Sequence, residues 1–215
     1  MPRCVFMLKS LVGVSLCSCI LLFAAGAPGL WLDVPFVKQE KNGCGAASIA
    51  MVMQYWQRQP AQRQSGQRQS GQRVDQDADA QTIQRALYSR RGHGIYASDL
   101  ERYLQQHGFR TFAFQGRLDD LKQHLAKGRP LIVALKPVVL KPERGDASHY
   151  VVVTGLDWDQ GLVLKNDPAE RKLLKQGQAD FEREWKAAGN WTLLAVPDAT
   201  QNESVPPPSH LPSSR

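Results

Sequence analysis

The patterning of this chain changes character near Pro130, and that change limits what it can fold into. Downstream, Pro130 to Val139, His149 to Leu156, Gly161 to Lys165 and Trp191 to Val196 are short runs rich in β-branched and aromatic residues, which predict strands, with one helix near Asp180 to Ala188 before the last. Upstream, apolar residues recur at helical spacing. Cys44 to Gln57 predicts a helix in which Ala47, Ile49, Ala50, Met53 and Trp56 share a broad apolar surface, with Gly43 and Gly45 permitting close approach at its start. Asp77 to Ser89 predicts a second helix. Ser98-Asp-Leu-Glu101 reads as a capping box opening a third, which runs to about His107 and stops at Gly108. Phe109 to Phe114 reads as a short strand, and Leu118 to Lys127 as a helix closed by Gly128. Trp31 to Val37 reads as an extended lead-in segment, with Pro35 placing it at a sheet edge or off the ladder. Helices first and strands second predict an α+β fold, a helical half packed on an antiparallel sheet.

Three stretches lie outside that pattern. Arg3 and Lys9, the apolar run Leu11 to Ala25 and the small residues Ala24-Ala-Gly-Ala predict an export signal over residues 1–26, cut after Gly26, and hence a periplasmic or extracellular protein. The apolar run is shorter than the roughly 20 residues that span a bilayer, so no stable membrane insertion is expected after cleavage. An uncleaved signal, or a lipid on the lipobox-like Leu16-Cys17-Ser18-Cys19, is the alternative. Residues 57–74 are built on a five-residue Gln-Arg repeat without the apolar side chains that would offset its ordering, and are expected to form a disordered insert. Residues 198–215, with Val205-Pro-Pro-Pro, read as a loose tail, which leaves 27–197 as a single domain.

The net charge of +7 does not imply a nucleic-acid partner. Arg3 and Lys9 belong to the signal and Arg58, Arg63, Arg68 and Arg73 to the repeat; without these six, +1 remains for everything else.

Of the four cysteines, Cys4, Cys17 and Cys19 leave with the signal, and Cys44 has no disulfide partner. A lone thiol in an oxidising compartment points to a thiol used for its chemistry, the alternative being a buried apolar filler. A helix N-terminus and a neighbouring imidazolium can bring a thiol from about 8.5 to roughly 3.5–7.5, and Cys44 opens its helix. His149, at the start of a strong strand, is placed to supply the base. Asp167 in Lys165-Asn-Asp-Pro can orient that imidazole across a hairpin turning near Asp157 to Gly161; Asn166 could do so instead, with Asp167 then a turn residue before Pro168. Gln39 and the Cys44 backbone amide would supply two oxyanion donors. His93, His107 and His124 read as capping or surface residues, and Trp31, Trp56, Trp158, Trp185 and Trp191 as core or groove wall. Beyond the signal, neither paired histidines at helical spacing nor a cysteine pair occurs, so no metal or other cofactor is expected.

Pro35-Phe-Val-Lys-Gln39, Asn42-Gly-Cys44-Gly-Ala-Ala-Ser, His149-Tyr-Val-Val-Val-Thr-Gly155 and Asn166-Asp167-Pro168, in this order, resemble the C39 family of cysteine peptidases, of papain-like fold, over most of Leu32 to Pro197. The resemblance implies Cys44 as nucleophile, His149 as base, Asp167 as its orienter and Gln39 as oxyanion donor. The well-known members are domains of transporters that cut leaders after a double glycine in the cytoplasm. This sequence carries no nucleotide-binding motif and opens on an export signal, so a free-standing exported member is expected. The implied function is hydrolysis of a peptide or protein substrate through a thiol acyl-enzyme. Alternatives are a transpeptidase or amidase acting on small peptides or cell-wall fragments, and a binding module of the same fold without turnover.

Overall fold

A computed structural model describes residues 29–59, 77–136 and 148–198. The expected signal, nearly all of the Gln/Arg insert, the tail beyond Asp198 and the end of the strand expected to reach Val139 lie outside them. The elements in chain order are β1 (Leu30–Trp31), α1 (Cys44–Arg58), α2 (Ala80–Leu87), α3 (Ala97–Gln106), β2 (Phe109–Gln115), α4 (Leu118–Ala126), β3 (Leu131–Leu135), β4 (His149–Asp157), β5 (Leu162–Asn166), β6 (Leu174–Gly177), α5 (Gln178–Ala187) and β7 (Trp191–Pro197).

The strands form one antiparallel sheet in the order β2-β7-β3-β4-β5-β6, and β1 pairs with β4 off that path. Strand periodicity sends alternate residues to opposite faces. Ile132, Ala134, Tyr150, Val152, Leu193 and Ala195 face the cluster built on α1, α2 and α3, whereas Leu131, Val133, Leu135, Val151, Val153 and Leu194 face α4 and α5. Helices therefore cover both faces of the sheet, not one half alone, and this explains why all five residues of β3 are buried. The fold is the α+β, papain-like one, with the added layer supplied by α4 and α5.

Local chemistry sets the boundaries. Asp79 caps α2 by accepting from Thr82 N–H at 2.8 Å, so that helix begins at Ala80 and is shorter than its apolar spacing suggests. The expected capping box at Ser98 does not form. Helix α3 starts two residues earlier, Tyr96 occupies the cap position without a side-chain bond, and Ser98 lies inside the first turn. Gly128, at φ +69°, ends α4 as expected, since only glycine adopts that conformation without a steric penalty. Helix α1 runs on to Arg58 and absorbs the first two residues of the expected insert. Strand β6 lacks a sequence signal because Leu174-Lys-Gln-Gly has little β-branched character; its pairing with β5 makes it a strand. Trp185 is buried as expected and Trp191 stacks edge-on against Tyr150 at 5.4 Å, but Trp31 and Trp158 are largely exposed, at 52% and 41%.

Candidate active site

Helix α1 begins without a cap of its own. Asn42 takes a left-handed conformation (φ 58°), Gly43 N–H closes a turn on Glu40 O at 3.0 Å, and the first bond into the helix is Ala47 N–H to Gly43 O. No side chain caps this end and no acidic residue occupies its first turn. The amides of Cys44, Gly45 and Ala46 therefore precede the first intrahelical bond, and the positive end of the helix is directed at the thiol. Gly45 lets α1 sit close to its neighbours: a Cβ there would be 3.2 Å from Ile95 Cβ and 3.5 Å from the Tyr150 ring.

His149 is the first residue of β4. Its Nε2 donates to Asp167 Oδ1 at 2.7 Å, and the ring interacts with Cys44 at the start of α1, the imidazolium lowering the thiol and the thiol raising the imidazole. His149 thus stands between Cys44 and Asp167, coupled to both.

Sheet register explains why Asp167 meets the imidazole and Asn166 does not. Strands β4 and β5 pair Val153 with Lys165 and Val152 with Asn166. One further step opposes Val151 to Asp167, so Asp167 falls on the sheet face shared by Val151 and His149, and Asn166 falls on the other. There the buried Asn166 side chain donates to Val34 O at 3.1 Å and Pro35 O at 3.3 Å, and accepts from Leu173 N–H at 3.0 Å. It ties the lead-in segment to the loop that follows the site. Leu173 is held in a left-handed conformation (φ 52°), a strain on the order of 1 kcal/mol that this bond helps to offset.

Asp167 is buried, and its partners complete the arrangement. Oδ1 also accepts from Ala169 N–H at 3.1 Å, and Lys165 Nζ lies 3.5 Å from Oδ2. Burial pushes the Asp167 carboxyl up, but His149, Lys165 and the Ala169 amide outweigh it and hold the group below the usual carboxylate range. Burial likewise disfavours charge on His149; the bonds to Asp167 and Cys44 prevail and raise it to about 9. For Cys44, burial pushes the thiol up, while the bond to His149, the Tyr150 and Gly45 backbone amides and the imidazolium charge bring it below its ordinary value. All three shifts favour a thiolate–imidazolium pair over two neutral groups. Tyr150, pushed up to about 12 chiefly by burial and then by Cys44, stays neutral beside that pair.

Gln39 lies in the lead-in segment ahead of α1. Its backbone N–H donates to Pro168 O at 2.9 Å, which joins the lead-in segment to the residue after Asp167. Its side-chain Oε1 is buried and has no hydrogen-bond partner among the described residues. The remaining histidines among the described residues serve other ends: His107 closes α3, stacked on Tyr103 at 3.9 Å, His124 sits in the last turn of α4, and His93 takes a left-handed turn conformation (φ 49°).

Sequence reasoning missed Lys165 as a partner of Asp167 and Asn166 as a structural tie. The signal was present in the strand: residues two apart share a face, so Lys165 and Asp167 must be neighbours and Asn166 must point away.

No curated protein matches the sequence. Solved structures share the fold. A structure described as a C39-like peptidase from Bacillus anthracis superposes with a TM-score of 0.56 at 17% identity, covering 79% of this chain and 98% of that one. The peptidase domain of Streptococcus ComA, a bifunctional ABC transporter of a quorum-sensing pathway, gives 0.54 at 18% identity, covering 76% and 98%. The model of the Peptidase_C39 like family matches residues 31–193, a span that holds all four predicted site residues, and the chain belongs to that family.

Proposed function

We propose that this protein is an exported cysteine peptidase that hydrolyses peptide bonds through a thiol acyl-enzyme. The observation that carries the reading is the Asp167–His149 hydrogen bond, with the imidazole coupled in turn to a thiol at the start of a helix. Cys44 Sγ attacks the scissile carbonyl carbon. The oxyanion that forms accepts from the Cys44 backbone amide and from Gln39 Nε2, donors fixed before the charge develops. His149 passes its Nδ1 proton to the leaving amine, the C–N bond breaks, and a thioester remains on Cys44. A water molecule then loses a proton to His149 as it attacks the thioester carbonyl, and the acid product and the thiolate–imidazolium pair are released. Asp167 keeps the ring oriented throughout and stabilises its charged form.

Export rests on the sequence of residues 1–26, and N-terminal sequencing of the protein recovered from outside the cytoplasm should begin at Ala27. The activity itself is tested by mass spectrometry after treatment with iodoacetamide and with a peptide vinyl sulfone. Rapid labelling of Cys44 at pH 6, slowed in His149→Ala, is expected. A thiol that labels only as fast as free cysteine, in a protein that turns over no peptide, would leave the fold as a binding module.

A further inference from the structure

The peptidase reading gives no task to Lys165. Along β5 and the residue just past its end, Val163, Lys165 and Asp167 share one face, and Val163 belongs to the apolar cluster under α4 and α5. A hydrocarbon side chain would be the ordinary occupant of position 165. Instead an ammonium group is buried there, with its side chain only 6% exposed, at a desolvation cost that an apolar residue would not carry. Its charge partner is Asp167. Oδ1 of that carboxylate takes both the His149 and the Ala169 bonds, whereas Lys165 is the group that stands at Oδ2 among the described residues. Without it, Oδ2 loses the contact that prevents the carboxylate from turning.

We propose that Lys165 is a positioning residue of the site, whose ammonium pins Asp167 Oδ2 so that Oδ1 is presented to His149, and whose charge sets the pH range over which the His149–Cys44 pair is assembled. The groups concerned are coupled to Lys165 through Asp167. His149 on β4 and the Ala169 amide on the following loop face Asp167; Cys44 at the start of α1 faces His149; Tyr150 faces Cys44 and stays neutral. A positive charge lowers the proton affinity of every neighbour, so its removal must raise the titration of each acidic and basic member together. A purely structural lysine would change stability but not those midpoints.

The proposal rests on Cys44 and His149 forming a catalytic pair, and two measurements on the full chain separate the two claims. One is the pH profile of Cys44 alkylation by iodoacetamide. The other is the NMR titration of His149, whose ring-proton signal is identified by its loss in His149→Ala. Lys165→Gln, which retains a donor for Oδ2 without the charge, is expected to move the acid step of alkylation and the His149 midpoint to higher pH, by on the order of one unit, and Lys165→Arg to leave both near wild type. Wild-type midpoints in a folded Lys165→Gln protein would overturn the role of the charge; should that variant not fold, Lys165→Asn, also an uncharged donor, is read by the same criterion. Lys165→Met removes the pin as well and is expected to place the His149 midpoint below that of Lys165→Gln, because an Asp167 free to turn no longer holds the imidazolium; equal midpoints in the two would overturn the pinning. A wild-type Cys44 that titrates as an ordinary thiol would overturn the pair itself, and with it the peptidase reading.

Discussion

His149 Nε2 lies 2.7 Å from Asp167 Oδ1, although His149 opens β4 and Asp167, eighteen positions on, lies just past the end of β5. The hairpin between them brings the pair together, and strand alternation selects Asp167 over Asn166. The consequences can be measured residue by residue.

Cys44→Ala and Cys44→Ser should each abolish peptide hydrolysis while leaving circular dichroism and thermal unfolding close to wild type. The thiol is only partly buried, and its neighbours Gly45, Ala46 and Ala47 provide the packing at that end of α1. Wild-type turnover by either variant would exclude Cys44 as the nucleophile.

The pH dependence has a definite sign. His149 is raised to about 9, so kcat/KM should hold through neutrality and fall as pH rises past about 9, where the proton destined for the leaving amine is lost. The same shift contributes to folding stability: the contribution is fully present below the unfolded histidine value near 6.5 and is lost as pH rises through about 9. Asp167, held below its ordinary 3.8, contributes stability above that value that is lost as pH falls through its folded one. Hydrolysis and unfolding profiles recorded on the same buffers check both; a basic limb near 6.5 would contradict the first.

Asn166→Ala should lower stability by about 2–3 kcal/mol in urea unfolding, because it strands the part-buried Leu173 amide and the buried Val34 carbonyl. Fast alkylation of Cys44 should survive, since the His149–Asp167 bond does not pass through Asn166. Loss of the labelling rate with unchanged stability would reverse that assignment.

Gln39→Ala should lower kcat by on the order of 10²–10³ with little change in KM, because the bond it removes forms mainly in the transition state. Steady-state kinetics on one small peptide decide the matter. A rise in KM alone would make Gln39 a substrate-binding residue instead.

Much of this was legible from local pattern. The Cys44 helix, the strong strands and the glycine stop at Gly128 follow from spacing and backbone freedom, which are properties of short segments. The capping box at Ser98 failed because a cap is defined by where the chain enters the helix, and packing of Ile95 against Gly45 fixes that approach to α3. Strand β6 was invisible because a hydrogen-bonding neighbour made it a strand, not its own residues.

For the site, the sequence by itself determined the chemical inventory: a thiol at a helix start, a histidine opening a strand, a carboxylate beyond the next turn and a glutamine upstream. Only the tertiary structure decided how these groups are coupled. Register placed Asp167 and Lys165 on the His149 face and turned Asn166 to the opposite one, and burial gave their charges weight. Composition and spacing are one-dimensional, whereas a proton's affinity depends on which charges and dipoles stand within a few ångströms of it, and folding alone brings those together.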